Sequence, residues 1–244
     1  MKQPAMPVRN AGSGGIGGFH GVKPDRPPNK MASEKIREKE EATTLVFFRH
    51  GKTDFPEERF YSRIEDPSLN AEGESQAARL GLWVKGASFS SLYASPLKRT
   101  MQTAGYLSEG LNLKVLRQPG LEERTMGEWD GLTPSEARER FPEEFLKWKA
   151  DPMRYTPPGG ESWMAFAERI LKAVEEIKEN HPRRQVAVVT HVGPIRVIVC
   201  RAMEIKDENY KRIVLGYGSA TRIDYTKNWG NLYYLGVVPF EQRP

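Results

Sequence analysis

This 244-residue chain has one cysteine, Cys200, and four histidines. A single cysteine excludes an intramolecular disulfide. Its place in the apolar run Ile195–Met203 suits a packed core thiol rather than a nucleophile. So little cysteine fits a reducing compartment, and the expected location is the cytoplasm. There is no His-x-x-x-His pair and no cysteine cluster, so zinc has no ligand set of the usual spacing, and no metal or other cofactor is expected. No run approaches the ~18 consecutive apolar residues of a membrane span, and the N-terminal residues lack the apolar core of a secretory signal. Nor is there a clustered Lys/Arg block of the kind that binds nucleic acid. The net charge is 37 − 32 = +5, of which residues 1–43 carry 8 − 5 = +3, leaving only +2 for the rest. The basic balance is therefore mostly a property of the N-terminal segment.

That segment is rich in Gly, Pro, Asn and basic residues without periodicity, and residues 1–43 are expected to be a disordered or tag-like extension. Gly12-Ser13-Gly14-Gly15-Ile16-Gly17 spells a dinucleotide-binding pattern. With no strand before it and no helix after it, it reads as linker. From Thr44 onward the chain alternates. Apolar runs at Leu45–Phe48, Phe89–Ala94, Leu113–Gln118 and Val186–Thr190, then Ala220–Tyr225 and Leu232–Val238, predict strands. Helices are predicted from an Asn70 cap to about Lys85, from Ser95 as N-cap with Pro96 at N1 to near Gly110, and from the Thr133–Glu136 capping box to about Arg140. Further helices are predicted over Phe141–Lys149, over Glu161–Asn180 and from Pro194. Strands alternating with helices argue for an α/β fold with a mostly parallel sheet, in one domain spanning residues 44–244.

Two of the four histidines follow directly on apolar strands, in Arg49-His50-Gly51 and in His191-Val192-Gly193. Ligands of open α/β sheets bind at those strand ends. Arg49 beside His50, and Arg99 in the first turn of a helix, add two guanidiniums that suit the oxygens of a phosphoryl group. A neutral imidazole can attack phosphorus, and a carboxylic acid must then protonate the departing oxygen. Glu122, Glu123 and Glu128 are the candidates. The residues alone indicate an anion site and leave the reaction open.

Four segments in order carry a resemblance. Arg49-His50-Gly51-Lys52-Thr53, Ser95 to Ala104, Leu121-Glu122-Glu123 with Gly127, and Thr190-His191-Val192-Gly193 look like the histidine phosphatase superfamily, which includes the phosphoglycerate mutases, over about Thr44 to Val238. The resemblance implies a three-layer α/β/α sandwich, with His50 as the nucleophile that becomes phosphohistidine. Arg49, Arg99 and a protonated His191 would hold phosphoryl oxygens, and Glu123 rather than Glu122 would be the acid. Thr53 is implied as a further substrate contact. The first loop departs from the family pattern. Lys52 stands where Glu or Gln is common, and Pro56 stands where many members carry a phosphate-binding Asn. That contact is expected to be either missing or supplied differently, with Arg59, Arg63 and Lys52 the candidates to supply it. Tyr61-Ser62 is similar to the α-ribazole phosphatases, and Arg59, Tyr61 and Arg63 are counted as substrate-binding. Tyr61, Arg63, Met126, Trp129, Tyr155 and Trp163 are candidates for the outer wall of the pocket, although most aromatics of this type are simply packed. The compact stretch after Glu123 resembles the phosphatase branch. The expected activity is metal-independent phosphomonoester hydrolysis on a small phosphorylated metabolite, with a mutase as the alternative and a non-catalytic phosphate-binding protein behind it. A homodimer is compatible with the sequence.

Overall fold

In the computed structural model, the residues described are 42–60 and 65–239. The predicted extension therefore lies almost wholly outside them, as do Tyr61 and Arg63. Among the described residues six strands form one sheet in the order β3-β2-β4-β1-β5-β6. They are β1 (Thr43–Arg49), β2 (Ser91–Ala94), β3 (Val115–Arg117), β4 (Gln185–Thr190), β5 (Ala220–Tyr225) and β6 (Gly230–Val237). The four strands from β3 to β1 run parallel, while β5 is antiparallel to both β1 and β6.

The central strands are apolar at nearly every position because both faces are covered. Leu45 and Phe47 of β1, with Val186 and Val188 of β4, pack against α5 (Trp163–Asn180) and α6 (Val192–Ala202). The alternate residues Val46, Phe48, Ala187 and Val189 pack against α1 (Ala71–Val84) and α2 (Lys98–Leu111). Side chains on a strand alternate between faces, so one eight-residue pattern builds both halves of a helix–sheet–helix sandwich. Each fully buried Phe or Leu here contributes roughly 1.5–3 kcal/mol. Two short helices, α3 (Pro134–Arg140) and α4 (Pro142–Ala150), form a cap of their own around Trp129, Leu132, Phe60 and Trp148. The predicted capping box opens α3: Thr133 Oγ1 accepts from Glu136 N at 3.1 Å, and Glu136 Oε2 accepts from Thr133 N at 2.7 Å.

One helix start differs from expectation. α2 begins at Lys98 with Leu97 at the cap position and no side-chain cap bond there, so Ser95 is not its N-cap. Ser95 is still tied to the sheet, its N–H donating to the Val189 carbonyl at 3.0 Å. The exposed N–H of Lys98 is satisfied by Asp66, whose carboxylate oxygens lie at 2.8 and 3.0 Å. α6 likewise opens at Val192, immediately after His191, instead of at Pro194.

Candidate active site

Register places the two histidines. Arg49 of β1 pairs with Thr190 of β4, so the next residue of each strand emerges side by side at the C-terminal sheet edge. The His50 N–H donates to the Thr190 carbonyl at 3.1 Å, and the two imidazoles stand 5.1 Å apart, both almost fully buried. The backbone then turns closely past α1. A Cβ on Gly51 would meet the Gly73 carbonyl oxygen at 2.3 Å, and one on Gly73 would meet Lys52 O at 2.0 Å. Only glycines allow that approach. Thr103 of α2 ties the turn down by accepting from Gly51 N at 3.1 Å.

The His50 ring has a defined tautomer. Its Nδ1 lies 2.7 Å from the Gly51 carbonyl oxygen, and a carbonyl only accepts, so Nδ1 carries the hydrogen and the basic lone pair sits on Nε2. Burial, followed by the Arg99 and Arg49 charges, holds its pKa well below the usual imidazole range; the Gly51 bond opposes this. His191 is also held well below that range, by burial and then by Arg99, His50, Arg49 and Arg169. The protein alone thus favours a neutral His191, contrary to the protonated ring the resemblance implied; only the negative charge of a phosphoryl group would push the other way. Ser95 Oγ lies 2.8 Å from His191 Nε2. His191 Nδ1 is buried and has no hydrogen-bond partner among the described residues.

The arginines converge from two elements. Arg49 donates through Nη1 to the Leu215 carbonyl, and its guanidinium carbon lies 3.6 Å over the Tyr217 ring. Arg99, in the first turn of α2 and fully buried, has Asp66 Oδ1 3.6 Å from Nη1. Glu123 is buried too; Oε1 accepts from Arg124 N at 2.9 Å and Oε2 from Gly193 N at 3.0 Å. Glu122 is kept outside because its backbone is clamped. Arg169 donates to the Gly120 and Glu122 carbonyls at 3.0 and 3.1 Å, and Thr190 Oγ1 donates to Leu121 O at 2.7 Å. Glu161 fixes Arg169 in turn with two bonds of 2.8 and 2.7 Å.

His50, His191, Arg49, Arg99 and Glu123 are therefore brought together, and the remaining predicted residues vary in their placement. Thr53 is buried but bonds within its own loop, accepting from Phe55 N at 3.3 Å. Arg59 donates to Gly131 O at 2.5 Å and to both oxygens of Glu136, at 3.0 and 3.4 Å. Lys52 is engaged by Glu72 at 2.8 Å. Both cations are thus paired with carboxylates, and Arg59 also lines the cavity beside Glu123. Trp129 is not a wall residue: it is fully buried in the cap, with Tyr155 packed on it. Met126 and Trp163 do face a cavity beside Glu123.

Sequence reasoning missed Arg169, Tyr217 and the part played by Ser95. Tyr217 sits in a loop that wraps the first motif, with Gly218 N donating to His50 O at 3.2 Å and Arg49 N to Ser219 O at 2.9 Å. Gly218 takes φ +61° there. Its one visible signal was an aromatic flanked by Gly216 and Gly218 just before a predicted strand.

A model of the histidine phosphatase superfamily, branch 1, matches residues 45–236. The chain belongs to that superfamily. Among its relatives is phosphoserine phosphatase 1 of Hydrogenobacter thermophilus, 31% identical over 161 residues, which are 66% of this chain and 76% of that one. The adenosylcobalamin/α-ribazole phosphatase of Escherichia coli is 26% identical over 191 residues, 78% of this chain and 94% of that one. Mycobacterial relatives 36% identical over 163 residues are longer, and this chain spans 44% of them. Among solved structures, YhfR of Bacillus stearothermophilus superposes with a TM-score of 0.74 at 27% identity, covering 81% of this chain and 98% of that one. As a histidine phosphatase the protein is a phosphoric monoester hydrolase, and the mutase alternative is not favoured. Among its described residues no helix is long and apolar enough to cross a membrane, and no group of three or more His, Cys, Asp or Glu could hold a metal ion.

Proposed function

We propose that the enzyme hydrolyses the phosphomonoester of a small metabolite through a phosphohistidine on His50, without a metal. The observation that carries this is the fixed tautomer: Nδ1–H on the Gly51 carbonyl at 2.7 Å and a neutral ring with its lone pair on Nε2. In the first step Nε2 forms a bond to phosphorus while the P–O ester bond breaks. The electron pair leaves on the alcohol oxygen, and Glu123, in its acid form, supplies the proton. Arg49 and Arg99 neutralise the phosphoryl oxygens and His191 hydrogen-bonds to them, which meets the main demand that phosphoryl transfer makes of a protein. In the second step Glu123 as carboxylate takes a proton from water, whose oxygen attacks phosphorus and breaks the P–N bond. Inorganic phosphate leaves and His50 is regenerated.

The catalytic domain in this reading takes in residues 44–244, with residues 1–43 an extension outside it, and the working compartment is the cytoplasm. A homodimer would have β6 to use, which ends the sheet and exposes Tyr233, Leu235 and Val237. The test is single-turnover quenching with a ³²P-labelled aryl phosphate. Wild type should yield an acid-labile labelled protein, and His50→Ala neither label nor turnover. Label persisting in His50→Ala refutes the assignment.

A further inference from the structure

Beside Glu123 lies a cavity of about 340 Å³, whose lining includes Glu123 and Gly193 as well as the cap and α6. Its position has a chemical meaning. The acid must touch the bridging oxygen, so the alcohol half of the substrate begins at Glu123 and extends into whatever space opens there. The volume suits a small ligand. Trp148, Trp163 and Tyr210 supply aromatic walls, with the Trp163 and Tyr210 rings 4.4 Å apart.

The same cavity collects cations. Arg124, Arg196 and Lys211 all line it. Arg124 spends Nε on the Glu161 carbonyl at 2.9 Å, while its Nη2 is buried with no hydrogen-bond partner among the described residues. Arg196 spends Nε on Ile213 O at 2.8 Å. Lys211 Nζ stands at the rim, 5.6 Å from the Trp148 ring and 5.9 Å from that of Tyr210. Its pKa is lowered by partial desolvation and then by Arg196 and Arg124, as expected of cations crowded around one space. A fourth cation, Arg59, is neutralised by Glu136. Two carboxylates share the lining, Glu57 and the Glu123 already committed to proton transfer. A buried guanidinium nitrogen left unbonded is costly unless a ligand completes it.

We propose that the preferred substrates are phosphomonoesters whose alcohol carries a second anionic group, received in this cavity by Arg124, Arg196 and Lys211. The proposal rests on the phosphatase reading above. Unlike His50 and Glu123, these residues hold a charge that is the same in ground and transition states, so their contribution falls on KM and leaves kcat little changed.

The test compares 4-carboxyphenyl phosphate with its 4-carbamoyl analogue. The amide is the better leaving group, so chemistry alone would favour it. Wild type should prefer the carboxylate by about ten- to hundredfold in kcat/KM, the range of a charge-assisted hydrogen bond, with the difference in KM. Arg124→Gln and Lys211→Met should each shrink that preference, and Arg124→Lys, which keeps the charge, should retain more of it than Arg124→Gln. Thermal melting identifies any variant that fails to fold. If the amide is hydrolysed through His50 while the carboxylate gains nothing, or the preference survives in both Arg124→Gln and Lys211→Met, this proposal is overturned and the phosphatase reading stands. If neither ester is hydrolysed, both fall.

Discussion

Gly193→Ala separates positioning of the acid from stability of the fold. A Cβ on Gly193 would lie 2.1 Å from Glu123 Oε1, 2.9 Å from Cδ and 3.0 Å from Oε2. Ordinary contact demands that the carboxyl group retreat by more than about 1 Å. The atoms in the way are the far end of a side chain, so it is Glu123 that moves rather than the backbone. Its retreat breaks the 3.0 Å bond from Gly193 N. Stability should therefore fall by only about 1–3 kcal/mol, the cost of a buried N–H left unsatisfied. Activity should fall further, because a misplacement of about 1 Å at a reacting group costs on the order of 10²-fold. The loss should depend on the leaving group. An alkyl phosphate needs its oxygen protonated and should lose about 10²-fold in kcat, whereas 4-nitrophenyl phosphate, whose departing anion is already stable, should lose much less. Steady-state kinetics on both esters, with thermal melting of the same preparations, provides the measurement. Wild-type rates on the alkyl ester, or equal losses on both, would refute the assignment of Glu123 as the acid.

Ser95→Ala removes the hydroxyl 2.8 Å from His191 Nε2 and should lower kcat about tenfold, the worth of one buried hydrogen bond; Ser95→Thr should recover much of it, and an equal loss in both would point to packing alone. Both active-site imidazoles are depressed below their ordinary value near 6.5 in the fold, so the unfolded chain binds more protons just below that pH. Their contribution to stability is then complete above about pH 6.5 and is lost as the pH falls towards their folded values; melting should drop on acidification from pH 7 to 5, and less so in a His50→Ala, His191→Ala double variant. The acid limb of kcat/KM should lie below pH 6.5 for the same reason, and a limb at or above that value would contradict a neutral His50 nucleophile. Chelators should leave turnover unchanged, and activity restored by an added divalent ion would overturn the metal-free mechanism.

The central sheet was legible because burial on both faces writes itself into the sequence as continuous apolar runs, and β1 and β4 were found with their histidines in place. Caps that use only neighbouring residues were legible too: Asn70 and the Thr133–Glu136 box each bond within three positions. Ser95 shows where this fails. Ser-Pro is a sound local cap signal, but the hydroxyl is claimed by a histidine 96 positions away, and the vacated cap is filled by Asp66 from 32 positions upstream. Arg49 on Tyr217 and Arg169 on the loop before Glu123 are likewise contacts between distant segments, which no local pattern encodes. Glu123 over Glu122 came from the family resemblance; in the fold it follows from the clamp on Leu121 and Glu122, whose donors, Thr190 and Arg169, come from β4 and α5.

In the reading proposed above, reaction and specificity belong to different parts of this molecule. The proposed phosphoryl site draws Arg49 and His50 from the end of β1 and His191 from the end of β4, fixed by a parallel register within an almost wholly buried core, and Arg99 from the buried first turn of α2. Moving Arg49, His50 or His191 means moving the sheet, so these positions tolerate little local change. The leaving-group cavity is different. Its cations come from the segment after Glu123, from α6 and from the short helical turn Asp207–Arg212, while its walls come from the aromatic cap and from Trp163 and Tyr210. Those connections can change without shifting a strand. The departures at Lys52 and Pro56 both lie in a connection, and Lys52 is paired with Glu72 of α1 rather than tied to the strand ends. A substitution in the cap or at Lys211 should thus alter which ester is preferred, and one at the strand ends whether any ester is cleaved.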